Sequence, residues 1–187
     1  MAADDDRRNP QRRRRREAAR GADAATPSRQ LTRAIARYPP GIRALAQALL
    51  GALRARLPGA TELVYDNYAL TIAFSPTDRP SHAVVGITLY PRWINLGFME
   101  GAMLDDPDGV LAGSGSQFRH VRLAAAADLD MPAIAALIDG AVAHGDGGRF
   151  DPARRRRIDV RTVSAKRGPR RPGTAAASSG TASRRRR

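Results

Sequence analysis

Charge in this 187-residue chain is segregated by position, and the segregation fixes which part can fold. The formal charge is +14. Residues 28–146 hold 10 Arg and 11 acidic residues and sum to −1, whereas residues 1–27 sum to +3 and residues 147–187 sum to +12. A near-neutral centre of roughly 120 residues, able to bury on the order of 65% of its unfolded surface, is thus flanked by two basic arms. The arms are poor in large apolar side chains and are expected to be disordered. The organisation read from this is an Arg-rich tail over 1–27, one domain over 28–146 and a basic tail over 147–187. Any attraction to nucleic acid implied by the total charge belongs to the tails.

Composition removes several function classes. The chain has no cysteine, so disulfides, thiolate nucleophiles, zinc-thiolate sites and Fe–S clusters are excluded, which suits a cytoplasmic protein. No apolar run reaches the roughly 18 to 20 residues of a membrane span. The N-terminus, with Asp4, Asp5 and Asp6 followed by Arg12 to Arg16, lacks the apolar stretch of a secretory signal. The basic residues are 31 Arg and one Lys, Lys166, as coding from a GC-rich genome produces, so arginine abundance alone does not indicate phosphate recognition.

Within the centre, periodicity changes twice. Ser28 can N-cap a helix over Arg29 to Tyr38, which must stop before Pro39-Pro40. Ile42, Leu45, Leu49, Leu53 and Leu57 recur at steps of three and four and predict a second helix over 41–57. A period of two follows: Tyr68, Leu70, Ile72 and Phe74; Val85, Ile87 and Leu89; Ile94, Leu96 and Phe98. A polar loop, Asp105 to Gln117, leads to a strand over 118–123 with Val121 and Leu123 inward. Asp130 then caps a helix whose buried stripe is Ile134, Leu137, Ile138, Ala141 and Val142. Beyond it, Ile158, Val160 and Thr162 alternate, so an edge strand can form near 158–163. The expected fold is α+β: N-terminal helices, an antiparallel sheet of about five strands, and a C-terminal helix, with the helices covering one sheet face.

Signatures of catalysis are missing. Gly113-Ser114-Gly115-Ser116 lacks the Gly-Lys-Ser/Thr ending of a phosphate loop and precedes a strand where those loops precede a helix. His82, His120 and His144 do not have zinc-protease spacing, and no Gly-x-Ser-x-Gly elbow occurs. The chain therefore reads as a non-enzyme with no cofactor. Two weaker alternatives carry chemistry of their own. Glu100, Asp105, Asp106 and Asp108 offer oxygen ligands for a divalent metal, although Asp-Asp-Pro-Asp-Gly is also ordinary turn chemistry. Arg154, Arg155, Arg156 and Arg157 can neutralise phosphates, but no aromatic residue except Phe150 interleaves with the basic runs, so only weak, non-specific nucleic-acid binding is expected.

The more specific signal is the sheet face opposite the aliphatics. Alternation places Ala69, Thr71, Ala73, Gly86, Thr88, Tyr90, Trp93, Asn95, His120 and Arg122 there, where a merely solvated face would show Lys, Glu or Gln. Small residues form a floor beside aromatic walls and two basic donors. This is the composition of a surface for a small molecule, a protein partner or a second copy of the chain, with Tyr90, Trp93, Asn95, His120 and Arg122 as its ligand-binding residues. The competing reading is that a terminal segment of the same chain packs on it.

The blocks Glu62-Leu63-Val64-Tyr65-Asp66-Asn67-Tyr68, Leu89-Tyr90-Pro91-Arg92-Trp93 with Gly101-Ala102, and Gly113-Ser114-Gly115 through Arg119-His120-Val121-Arg122-Leu123 resemble the YdhG-like family of bacterial domains of unknown function. The resemblance covers about residues 30–145 and extends to Val163-Ser164-Ala165-Lys166 and Arg170-Arg171-Pro172; the Arg-rich extremities depart from the family's length. It implies a small α+β domain. Some members are proposed to be frataxin-like iron chaperones, a role that would rest on surface carboxylates. Here the acids are scattered over a domain that sums to −1, which favours a binding or accessory module over an iron carrier.

Overall fold

Proline sets the start of every helix in this chain. In the computed structural model, which describes residues 26–145 and 147–163, the helices are α1 (Pro27–Ile35), α2 (Pro40–Arg56) and α3 (Pro132–His144), each with proline in the first turn. Proline lacks the N–H that would be orphaned at that position, and its fixed φ is already helical. The expected caps shift accordingly. Thr26, not Ser28, caps α1, its hydroxyl accepting from Arg29 N at 3.4 Å. Met131, not Asp130, precedes α3, and Asp130 instead ends the 3-10 turn Ala126–Asp130. α1 stops at Ile35, freeing Tyr38 to enter the core. There the Tyr38 hydroxyl donates to Leu89 O and accepts from Leu70 N, both at 3.0 Å.

The strands are β1 (Thr61–Asp66), β2 (Leu70–Ser75), β3 (Val85–Leu89), β4 (Ile94–Phe98), β5 (Arg119–Leu123) and β6 (Arg157–Val163). They form a single sheet in the order β5-β4-β3-β2-β1-β6. Two expectations are corrected: the described sheet has six strands where about five were expected, and it is mixed where it was expected to be antiparallel. β1 to β5 are an antiparallel meander, whereas β6 lies parallel to β1. The reason is parity. Five meander strands leave β5 running in the direction of β1, and α3 returns the chain to the starting end, so the next strand must enter parallel to β1. The tail expectations for 1–25 and 164–187 fall outside the described residues.

Leu70, Ile72, Phe74, Val85, Ile87, Leu89, Ile94, Leu96 and Phe98 are completely buried, and they share one core with the inward residues of all three helices. Their alternation is as expected. Tyr68 is not part of it: it is 77% exposed and precedes β2. Each fully buried aliphatic of this set contributes roughly 1.5–3 kcal/mol relative to exposure, which is what holds the helices to this face. Across the β5 edge, Ala112 pairs with His120 through two backbone bonds of 2.8 and 2.9 Å, which covers part of an otherwise open edge.

Candidate functional site

Because cross-strand partners point to the same side of a sheet, the register lays out the opposite face as two rows. One runs Leu63, Ala73, Gly86, Gly97, His120; the other runs Tyr65, Thr71, Thr88, Asn95, Arg122. Tyr90 and Trp93 flank the Pro91-Arg92 turn between β3 and β4, with Tyr90 N donating to Trp93 O at 2.9 Å. All five expected ligand-binding residues, Tyr90, Trp93, Asn95, His120 and Arg122, therefore lie on one face. Leu63 and Ala73 at the β1 end of the face are buried, whereas Phe118 and Arg122 at the β5 end are exposed. The accessible part of the face is thus the β3–β5 end.

Two clusters occupy that end. Trp93 stacks on Tyr90 with ring centroids 5.1 Å apart, and the Arg122 guanidinium lies 4.6 Å over the Trp93 ring. A guanidinium held flat on an indole keeps its N–H edge available for an anion. Beside it, Asn95 Oδ1 is buried with no hydrogen-bond partner among the described residues. The second cluster is one the sequence reading did not single out. Phe118 stacks on His120 at 6.2 Å, and a Cβ on Gly97 would fall 2.6 Å from the Phe118 ring, so the glycine is what admits the phenyl group. Gly86 is tighter still: a Cβ there would meet Ala73 Cα and Ile72 O at 2.9 Å. On the neighbouring row, the Thr71 and Thr88 hydroxyls bond to each other at 3.1 Å.

The acidic residues are dispersed by the fold. Asp106 uses its carboxylate to close a turn, accepting from Val110 N at 3.0 Å and Leu111 N at 2.9 Å. Asp105 and Asp108 are exposed, and Glu100 faces His144 at 3.6 Å. Among the described residues no group of three or more His, Asp or Glu is arranged to hold a metal ion.

The arginine run also divides. Arg156 Nη1 donates to Glu62 Oε1 at 2.9 Å, and Arg154 donates to Pro76 O. Arg155 and Arg157 have no hydrogen bond or ion pair among the described residues, which leaves half of the run free for phosphates. The runs at 12–16 and 184–187 lie outside the described residues.

A charged network on the other face was missed by the sequence reading. Glu62, Val64 and Asp66 are in register with Phe74, Ile72 and Leu70, so two carboxylates of β1 point toward the core, and both are completely buried. Glu62 receives Arg54 Nε and Nη2, each at 2.8 Å, in addition to Arg156. Asp66 pairs with Arg37. The available signal was the pairing of these acids, in steps of two with Val64, against arginines near the end of each preceding helix.

No helix among the described residues is long and apolar enough to cross a membrane. No protein-family model, curated protein or solved structure matches the chain.

Proposed function

We propose that this protein is a non-enzymatic, cytoplasmic binding or accessory module of the YdhG-like type, and that its ligand docks on the β3–β5 end of the open sheet face. The observation that supports this reading is the Tyr90–Trp93–Arg122 stack. Stacking fixes the guanidinium before any ligand arrives, so less side-chain entropy is lost on binding. The adjoining aromatic surface of Tyr90 and Phe118 suits a planar group. A planar anion is the ligand class that uses both features, with Arg122 and His120 as donors. Frataxin-like metal carriage has no comparable cluster of carboxylates behind it.

Trp93 is the only tryptophan, so its emission reports on this face alone. A screen of aromatic carboxylates and phosphates should shift the emission and raise Tm in the wild type, and Arg122→Gln should weaken the response about tenfold, the worth of one charge-assisted hydrogen bond. A screen in which no compound perturbs Trp93, or in which Arg122→Gln responds like the wild type, sinks the proposal.

A further inference from the structure

The Glu62 network does more than neutralise a buried acid. It holds two guanidiniums at the wall of a cleft of about 220 Å³ between α1, α2 and the segment entering β6. We infer that this cleft is a second binding site, for a small carboxylate carrying a short alkyl body.

Charge is the first argument. Arg54 and Arg156 carry +2 against the single charge of Glu62, and no acidic side chain lines the cleft. Arg54 uses Nε and Nη2 on Glu62, while Arg156 uses Nη1, so each guanidinium keeps N–H groups in reserve. The buried carboxylate fixes both, as a second shell fixes a ligand, and the reserved donors face a net positive cleft. A neighbouring hollow of about 290 Å³ shares Thr32, Ile35 and Gln47 in its wall and adds Arg43, again without an acid. Shape is the second argument. Leu31, Ile35 and Leu50 supply an apolar lining opposite the arginines, with the Ser28 hydroxyl and Gln47 amide between them. A carboxylate reaches the guanidiniums in fork geometry while its alkyl body covers the leucines; bare phosphate satisfies only the charge.

The test uses the full chain and calorimetric titration with hexanoate and with inorganic phosphate. Hexanoate should bind more tightly than phosphate. Gln47→Glu, on the exposed side of α2 and outside the Glu62 network, should weaken hexanoate at least about tenfold by placing a negative charge in the cleft. Arg156→Gln should do the same, whereas Arg155→Gln, an equal change of net charge one residue away, should leave affinity within about twofold. Should Arg156→Gln fail to fold, the contrast between Gln47→Glu and Arg155→Gln still decides. The site is disproved if hexanoate does not bind, if phosphate binds as tightly, or if Arg155→Gln and Gln47→Glu weaken hexanoate equally.

Discussion

Removing Arg54 should destabilise this fold far more than removing Arg156, although both touch the same carboxylate. Glu62 has no exposure, and Arg54 gives it two bonds of 2.8 Å from a side chain that is 31% exposed. Arg156 gives one bond from a side chain that is 45% exposed. In Arg54→Ala the Oε2 atom loses its donor inside the protein while Oε1 keeps Arg156. The expected cost is about 3 kcal/mol, the low end for breaking a buried pair. With a urea m-value of about 2 kcal/mol/M, this lowers the midpoint by about 1.5 M. Arg156→Ala should cost only about 1 kcal/mol, because water replaces much of what it supplies and the two-pronged pair survives. The diagnostic variant is Arg54→Ala with Glu62→Leu. It eliminates the stranded charge, fills the site with apolar volume and leaves Arg156 free to reach water, so stability should return to within about 1 kcal/mol of the wild type. If Arg54→Ala costs less than about 1 kcal/mol, or the double variant is no more stable than the single, the energetic argument fails.

Three further outcomes follow from other parts of the molecule. Tyr38→Phe should cost about 1–3 kcal/mol in the same urea experiment, since it strips a partner from both Leu89 O and Leu70 N inside the core; an unchanged midpoint contradicts the bridge. Gly86→Ala should cost about 1–3 kcal/mol because its Cβ meets backbone, whereas Gly97→Ala should cost less because it meets a 43%-exposed phenyl ring that can swing away; the reverse order of Tm values would contradict the packing. Any affinity for nucleic acid should reside mainly in the arms: residues 26–163 sum to +3 against +14 for the whole chain. Binding by the whole chain should fall on the order of a thousandfold between about 50 and about 200 mM salt if about six phosphates are neutralised. Salt-resistant binding by a chain trimmed to 26–163 would contradict this.

The legible parts of the fold were those in which one face of an element is wet. β2 to β5 alternate because helices cover one side and the other is at least partly open, so the aliphatic and small-residue sets separate cleanly in sequence, and with them Trp93, Asn95, His120 and Arg122. β1 was illegible because it is buried on both faces: Leu63 faces one way, Glu62 and Asp66 the other, and all three are completely buried. A strand of this kind loses its period-two signature, and carboxylates at core positions disguise it further. Helix starts were misread by a residue or two because Ser28 and Asp130 are good caps in isolation, while proline at the first helical position overrides them. Phe118 was passed over because its role depends on Gly97, a neighbour across the sheet, and no local pattern links the two.

The placement of Glu62 and Asp66 also bears on how the parallel strand finds its position. Without β6, β1 would be an open edge, and inward-pointing charges on such an edge penalise pairing with any strand that brings no cation. The segment that does pair brings Arg156 to Glu62 across a separation of 94 residues, and Arg161 anchors to Asp78 O at 2.7 Å. Ile158 and Val160 are only half-buried against the core, so apolar burial alone favours this docking weakly, by less than the roughly 1.5–3 kcal/mol each would contribute if fully buried. Charge matching must then supply part of the specificity that a buried stripe supplies elsewhere in the sheet. Arg156→Glu, which sets like charges against each other at that point, should release β6 while leaving the meander intact. Hydrogen exchange should show lost amide protection across Arg157–Val163 with β2 to β4 still protected. Protection of β6 unchanged from the wild type would mean that its docking does not depend on the arginine, and the argument from charge would be wrong.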